Sequence, residues 1–170
     1  MKRPLLLALC TLLPGVVAAA ELRVELELPD LQISDYRRPY VAVWLERPDN
    51  SVAANLAVWY DVRMRDDEGR TWLKDIRQWW RRTGRDLTMP VDGVTAATRG
   101  PGAHKLAFTA GAHPLGKLAA GEYRLVVEAS REHGGREVVT VPLQWPPTAE
   151  QRLDAGGERE LGRVAVELIP

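Results

Sequence analysis

The chain has 170 residues, enough for one domain with its own core. Its 23 Lys and Arg match 23 Asp and Glu, which argues against a nucleic-acid-binding domain, whose phosphate contacts need a basic surplus. Apolar residues at 45% and charged residues at 27% are ordinary globular values that exclude wholesale disorder, whereas six Trp against one Phe is an unusual aromatic choice.

Residues 1–20 read as a cleaved export signal. Met1-Lys2-Arg3 is a basic start, Leu5 to Leu13 form a short apolar run, and Ala18-Ala19-Ala20 offers a small-residue cleavage site before Glu21. Pro14 and Gly15 interrupt the apolar run, which is too short to span a bilayer. A lipid anchor on Cys10 is disfavoured by the bulk of Leu9 before it. The bacterial type of signal predicts the periplasm, with residues 21–170 as a single soluble domain. Two of the 23 basic residues, Lys2 and Arg3, leave with the signal, so the mature balance is 21 to 23, or −2. The only Cys leaves too, which excludes thiol redox chemistry and thiolate metal centres.

Along the mature chain the pattern has mostly a period of two. Leu22 to Leu28 alternates apolar and charged, as in a half-buried strand. Tyr40 to Leu45 is a second strand, followed by the turn signal Arg47-Pro48-Asp49-Asn50. A third runs from Ala54 to Val62. Thr71 to Arg82 changes period: Trp72, Ile76 and Trp79-Trp80 recur at near-helical spacing and predict one short helix. Gly84 to Gly102 follows as a long irregular loop, a kind of segment that tends to be functional. Strands over 105–109, 122–129, 137–143 and 161–169 make about seven in all, with glycine turns between several of them. The class is all-β: an immunoglobulin-like antiparallel β-sandwich with one short helix and a long functional loop.

That loop carries Asp92-Gly93-Val94-Thr95-Ala96-Ala97-Thr98. An acceptor hydroxyl needs an exposed backbone and small neighbours, and Ala96 and Ala97 meet the steric need. The segment resembles the FMN-attachment motif Asp-x-x-(Ser/Thr)-(Gly/Ala)-Ala-Thr in the FMN-carrying subunits of sodium-pumping NADH:quinone reductases and Rnf-type complexes. In those subunits an ApbE-type flavin transferase moves FMN from FAD to the last Thr as a phosphoester. The resemblance makes Thr98 the FMN-bearing residue and matches Asp92, Thr95 and Ala97 to the other recognised positions. Ala96 is the departure, because those subunits usually have Gly there; a requirement for positive φ at that position would strain Ala. Arg99 is placed to pair with the phosphate.

A broader likeness covers most of residues 21–145. Tyr40 to Leu45, Asn55 to Trp59, Trp72 with Arg77 to Arg81, and Glu128 to Gly135 resemble a family of predicted periplasmic proteins. That family is associated with PepSY-type membrane proteins and extracytosolic flavin electron transfer, often near iron-uptake functions. The resemblance implies an electron carrier more than a substrate-converting enzyme. Its electrons would come from a membrane redox protein, and a ferric complex is one candidate acceptor.

Among the tryptophans, Trp44 and Trp59 read as core residues on strands, and Trp145 as packing at a strand end. Trp79 and Trp80 are neighbours on a helix and cannot both face one core, so they are candidates to stack on the isoalloxazine ring. His133 falls in a hairpin turn, and His104 and His113 stand alone, so no metal-ligand spacing arises. No serine lies in a nucleophile-elbow context. The competing reading is a cofactor-free immunoglobulin-like adaptor that uses the Trp- and Arg-rich helix as its contact surface. A carbohydrate- or haem-binding domain built on the tryptophans is a third.

Overall fold

Strict alternation in Leu22 to Leu28 builds a strand with one buried face, and the computed structural model, which describes residues 19–170, shows it. In β1 (Glu21–Leu28), Leu22, Val24, Leu26 and Leu28 are buried, while Arg23, Glu25 and Glu27 face solvent. Eight more strands follow: β2 (Tyr40–Glu46), β3 (Val52–Tyr60), β4 (Thr95–Ala97), β5 (Gly102–Thr109), β6 (Gly121–Ser130), β7 (Arg136–Trp145), β8 (Gln151–Gly156) and β9 (Arg163–Ile169). They form two packed sheets, ordered β5-β1-β9-β8 and β4-β3-β2-β6-β7. Every pairing is antiparallel except that of β4 with β3.

β2 does not alternate. From Val41 to Glu46 every residue is buried, because both faces of its sheet are covered. Val41, Val43 and Leu45 enter the core between the sheets, with the buried residues of β1 and β9 opposite. Ala42 and Trp44 point the other way, into a second core with Val58, Tyr60 and Val126.

The second core is roofed by the excursion between β3 and β4. It consists of helix α1 (Glu68–Thr71), a 3₁₀ turn (Trp72–Asp75) and helix α2 (Arg77–Arg82), with 3₁₀ turns at Arg65–Asp67 and Gly84–Asp86. The single helix expected over 71–82 is broken at Ile76, whose ψ of 73° is not helical. Leu73, Ile76 and Trp79 form the buried stripe. A six-residue helix has no stability of its own in water, and tertiary contacts hold this one. The buried Glu128 carboxylate accepts the N–H groups of Gln78 and Trp79 at 3.0 and 2.8 Å and pairs with Arg136. The Trp79 indole N–H donates to Asn55 Oδ1 at 2.8 Å.

The sandwich and its short helix agree with the pattern in the sequence, but the strand inventory is larger than the pattern predicts. β8 escapes prediction because only Leu153 and Ala155 of its 151–156 segment are apolar, partly buried against the core, which is too short a pattern to read. β4 escapes because three residues carry no readable period. Thr95 to Ala97 therefore leave the irregular loop and join the edge of a sheet. The expected signal at residues 1–20 falls almost wholly outside the described residues. Among the described residues no helix is long and apolar enough to cross a membrane.

Candidate functional cleft at one end of the five-stranded sheet

Register brings five chain segments to one edge. Tyr40, at the start of β2, is opposite Ser130 at the end of β6, and Ser130 is opposite Arg136 at the start of β7. Because β4 runs parallel to β3, their last residues, Ala97 and Tyr60, pair at this same end. Gly69 packs the excursion onto it: a Cβ there would come 2.0 Å from the Asp61 carbonyl oxygen. Tyr40 fixes the contact from the other side by donating to the Gly69 carbonyl at 3.1 Å.

The space enclosed by these segments is a cleft of about 1240 Å³, beyond the roughly 300–1,000 Å³ of common small-molecule sites. Its aromatic lining includes Tyr36, Tyr40 and Trp72. Burial raises the phenol pKa of both tyrosines, so they stay neutral, hydrogen-bonding groups. Six arginines line it (Arg37, Arg38, Arg63, Arg77, Arg131 and Arg136) against four carboxylates (Asp61, Glu68, Asp75 and Glu132). Arg131 is committed to Glu160, to which it donates twice at 2.9 and 3.0 Å, with side chains only 9% and 5% exposed. Arg136 is held by Glu128 and Arg37 by Asp35. Among the described residues Arg38, Arg63 and Arg77 make no ion pair and remain free for an anion.

Thr98 and Ala97 are on the wall of this cleft. The preceding segment is closely held by its own hydrogen bonds. Gly93 has φ of +66°, and Val94 and Thr95 donate back to the Val91 carbonyl at 3.3 and 2.9 Å. Thr95 Oγ1 accepts the Val91 N–H at 2.9 Å. His113 Nε2 contacts the Asp92 carbonyl oxygen at 2.7 Å, leaving the Asp92 carboxylate exposed. Ala96 lies in β4 opposite Trp59 and is not among the positive-φ residues, so a Cβ at this position carries no backbone strain. Thr98 is half-buried, its N–H donates to the Tyr60 carbonyl at 3.2 Å, and its hydroxyl has no hydrogen-bond partner among the described residues.

The other expected cofactor residues lie elsewhere. Arg99 stacks over the Trp59 indole, 4.2 Å from the ring centroid, and does not line the cleft. Trp79 is fully buried in the second core, and Trp80 packs half-buried against the same core, tilted 51° to Trp79. Neither lines the cleft. Trp44 and Trp59 are buried, as their strands required, and Trp145 closes β7 against the main core. His133 occupies the β6–β7 turn with φ of +54° and stands on the cleft rim. The tryptophan that does face the cleft is Trp72, 45% exposed. The sequence held the signal: Leu73, Ile76 and Trp79 form the apolar stripe, and that spacing leaves Trp72 outside it.

A family model described as "Predicted periplasmic protein (DUF2271)" matches residues 21–163. The chain belongs to the DUF2271 family. Membership places it in the periplasm and covers both sheets down to the start of β9, so the cleft and the 92–98 segment are inside the family region of this DUF2271 protein. No curated protein and no solved structure gives a significant match.

Among the described residues, the cleft presents a hydroxyl without a hydrogen-bond partner, three guanidinium groups without ion pairs and one exposed tryptophan. Among the described residues, no group of three or more His, Cys, Asp or Glu side chains gathers to hold a metal.

Proposed function

We propose that this DUF2271 protein is a periplasmic electron carrier that holds FMN covalently through a phosphoester to Thr98. The observation that carries the reading is the uncommitted Thr98 hydroxyl on the wall of the cleft, three residues after a threonine whose hydroxyl is already used. The resemblance of residues 92–98 to the FMN-attachment motif supplies the chemistry. Attachment forms an O–P bond from Thr98 Oγ1 to the FMN phosphorus of FAD; AMP departs and the hydroxyl proton leaves. An ApbE-type flavin transferase is the agent.

The chain's own residues do the rest. The β3–β4 ladder holds the backbone of Thr98, and small Ala96 and Ala97 let a transferase approach. The arginines of the cleft favour an anionic or electron-rich ring, which raises the reduction potential relative to water. FMN in such a site supplies reversible redox chemistry without a catalytic base. Covalent attachment keeps it from being lost outside the cytoplasm. The partners are a PepSY-type or other membrane redox protein on one side and an extracytosolic acceptor, such as a ferric complex, on the other.

Co-expression with an ApbE-type transferase, followed by denaturing electrophoresis and in-gel flavin fluorescence, tests the reading. A fluorescent band that survives denaturation supports it. A dark band, with the transferase active on a control acceptor, overturns it and leaves the cofactor-free adaptor.

A further inference from the structure

We propose that the cleft itself recognises the flavin, with Trp72 as the stacking platform for the ring and Arg38 as the partner of the phosphate. The inference rests on the reading of Thr98 as the attachment point, but it assigns roles that the attachment motif does not contain. It also replaces Arg99 and the Trp79–Trp80 pair, whose side chains are engaged elsewhere.

Three of the six tryptophans are essentially sealed from solvent: Trp44, Trp59 and Trp79 are at most 1% exposed. Trp72 is 45% exposed, the most open of the large apolar side chains among the described residues. An indole left in water without a role wastes much apolar surface. Trp72 lies next to Leu73, which is 1% exposed, so its backbone is anchored while its ring is free. The Lys74 ammonium lies 5.4 Å from the ring centroid but does not line the cleft. The indole is thus engaged by a cation yet still 45% exposed on the cleft wall, where a planar guest can stack on it.

Arg38 reaches the attachment segment. Its Nε is 3.9 Å from where a Cβ on Gly100 would stand, two residues beyond Thr98. It has no ion-pair partner among the described residues. A phosphate on Thr98 is therefore within reach of a planar, permanently charged fork suited to it.

Titration of the Thr98→Ala protein with free FMN and with riboflavin separates this proposal from covalent attachment, because that variant has no hydroxyl to modify. Saturable binding is expected for both ligands, with FMN tighter. Adding Trp72→Ala should weaken both by about fivefold to tenfold, while Trp72→Phe retains most of the affinity. Adding Arg38→Gln should remove the preference for FMN over riboflavin and leave riboflavin unchanged. No saturable FMN binding, or affinities unmoved by Trp72→Ala and Arg38→Gln, overturns the proposal. Failure of the wild-type chain to gain covalent flavin from an active transferase overturns the Thr98 reading alone, since the titration does not depend on it.

Discussion

The N–H of Thr98 donates to the carbonyl of Tyr60 at 3.2 Å, one step beyond the three-residue ladder that joins β4 to β3. Thr98, the proposed acceptor, is thus positioned by its backbone, and among the described residues its hydroxyl makes no hydrogen bond. Thr98→Ala should leave stability within about 0.5 kcal/mol of wild type while abolishing covalent flavin. Urea unfolding beside a flavin assay checks both halves.

Thr95 has the opposite role. Its hydroxyl takes the Val91 N–H, so Thr95→Ala should cost about 1 kcal/mol and slow flavin incorporation by loosening the segment. Gly93 should tolerate less. At φ of +66°, with a His113 ring carbon 2.8 Å from where a Cβ would stand, alanine meets both backbone strain and a clash. Gly93→Ala should therefore destabilise by at least about 1 kcal/mol, and the same unfolding series measures it.

Glu128 is buried and holds the first turn of α2 by two backbone N–H groups and Arg136. Glu128→Ala removes the acceptor of two backbone N–H groups and the partner of the solvated Arg136, and should cost about 1.5–3 kcal/mol. Near-UV circular dichroism should lose intensity as Trp79 loosens, ahead of any loss in the far-UV β signal.

Glu137 sets an acid limit. Burial works to raise its pKa, but the N–H groups of Glu158, Leu161, Arg159 and Glu160, at 2.6, 2.9, 3.0 and 2.9 Å, outweigh burial and hold the carboxyl below its ordinary value of 4.5. A carboxyl with a depressed folded pKa contributes stability that is complete above 4.5 and is lost as pH falls through the folded value. The stability gap between wild type and Glu137→Gln should be constant from neutral pH down to that point and shrink below it. Denaturant melts across the acid range read the gap directly.

Much of the fold was legible because alternation in β1 and continuity in β2 report directly whether one or both sheet faces are covered. β4 was not, because its order comes from β3 and not from its own three residues. Thr98 was singled out in the sequence by resemblance to an attachment motif. The cleft around it was not, since Tyr36, Trp72 and Arg131 are far apart in the chain and meet only through register. Trp79 misled for a physical reason: it continues the Leu73–Ile76 stripe and is sealed in the second core, while Trp80 packs half-buried at the edge of that core.

The most direct test is the intact mass of the periplasmic protein after co-expression with an ApbE-type transferase, measured beside Thr98→Ala. A gain of one FMN less one water is expected in the wild-type chain, mapped to the peptide containing Thr98, and none in the variant. An unmodified wild-type mass, with the transferase active on a control acceptor, would contradict attachment at Thr98.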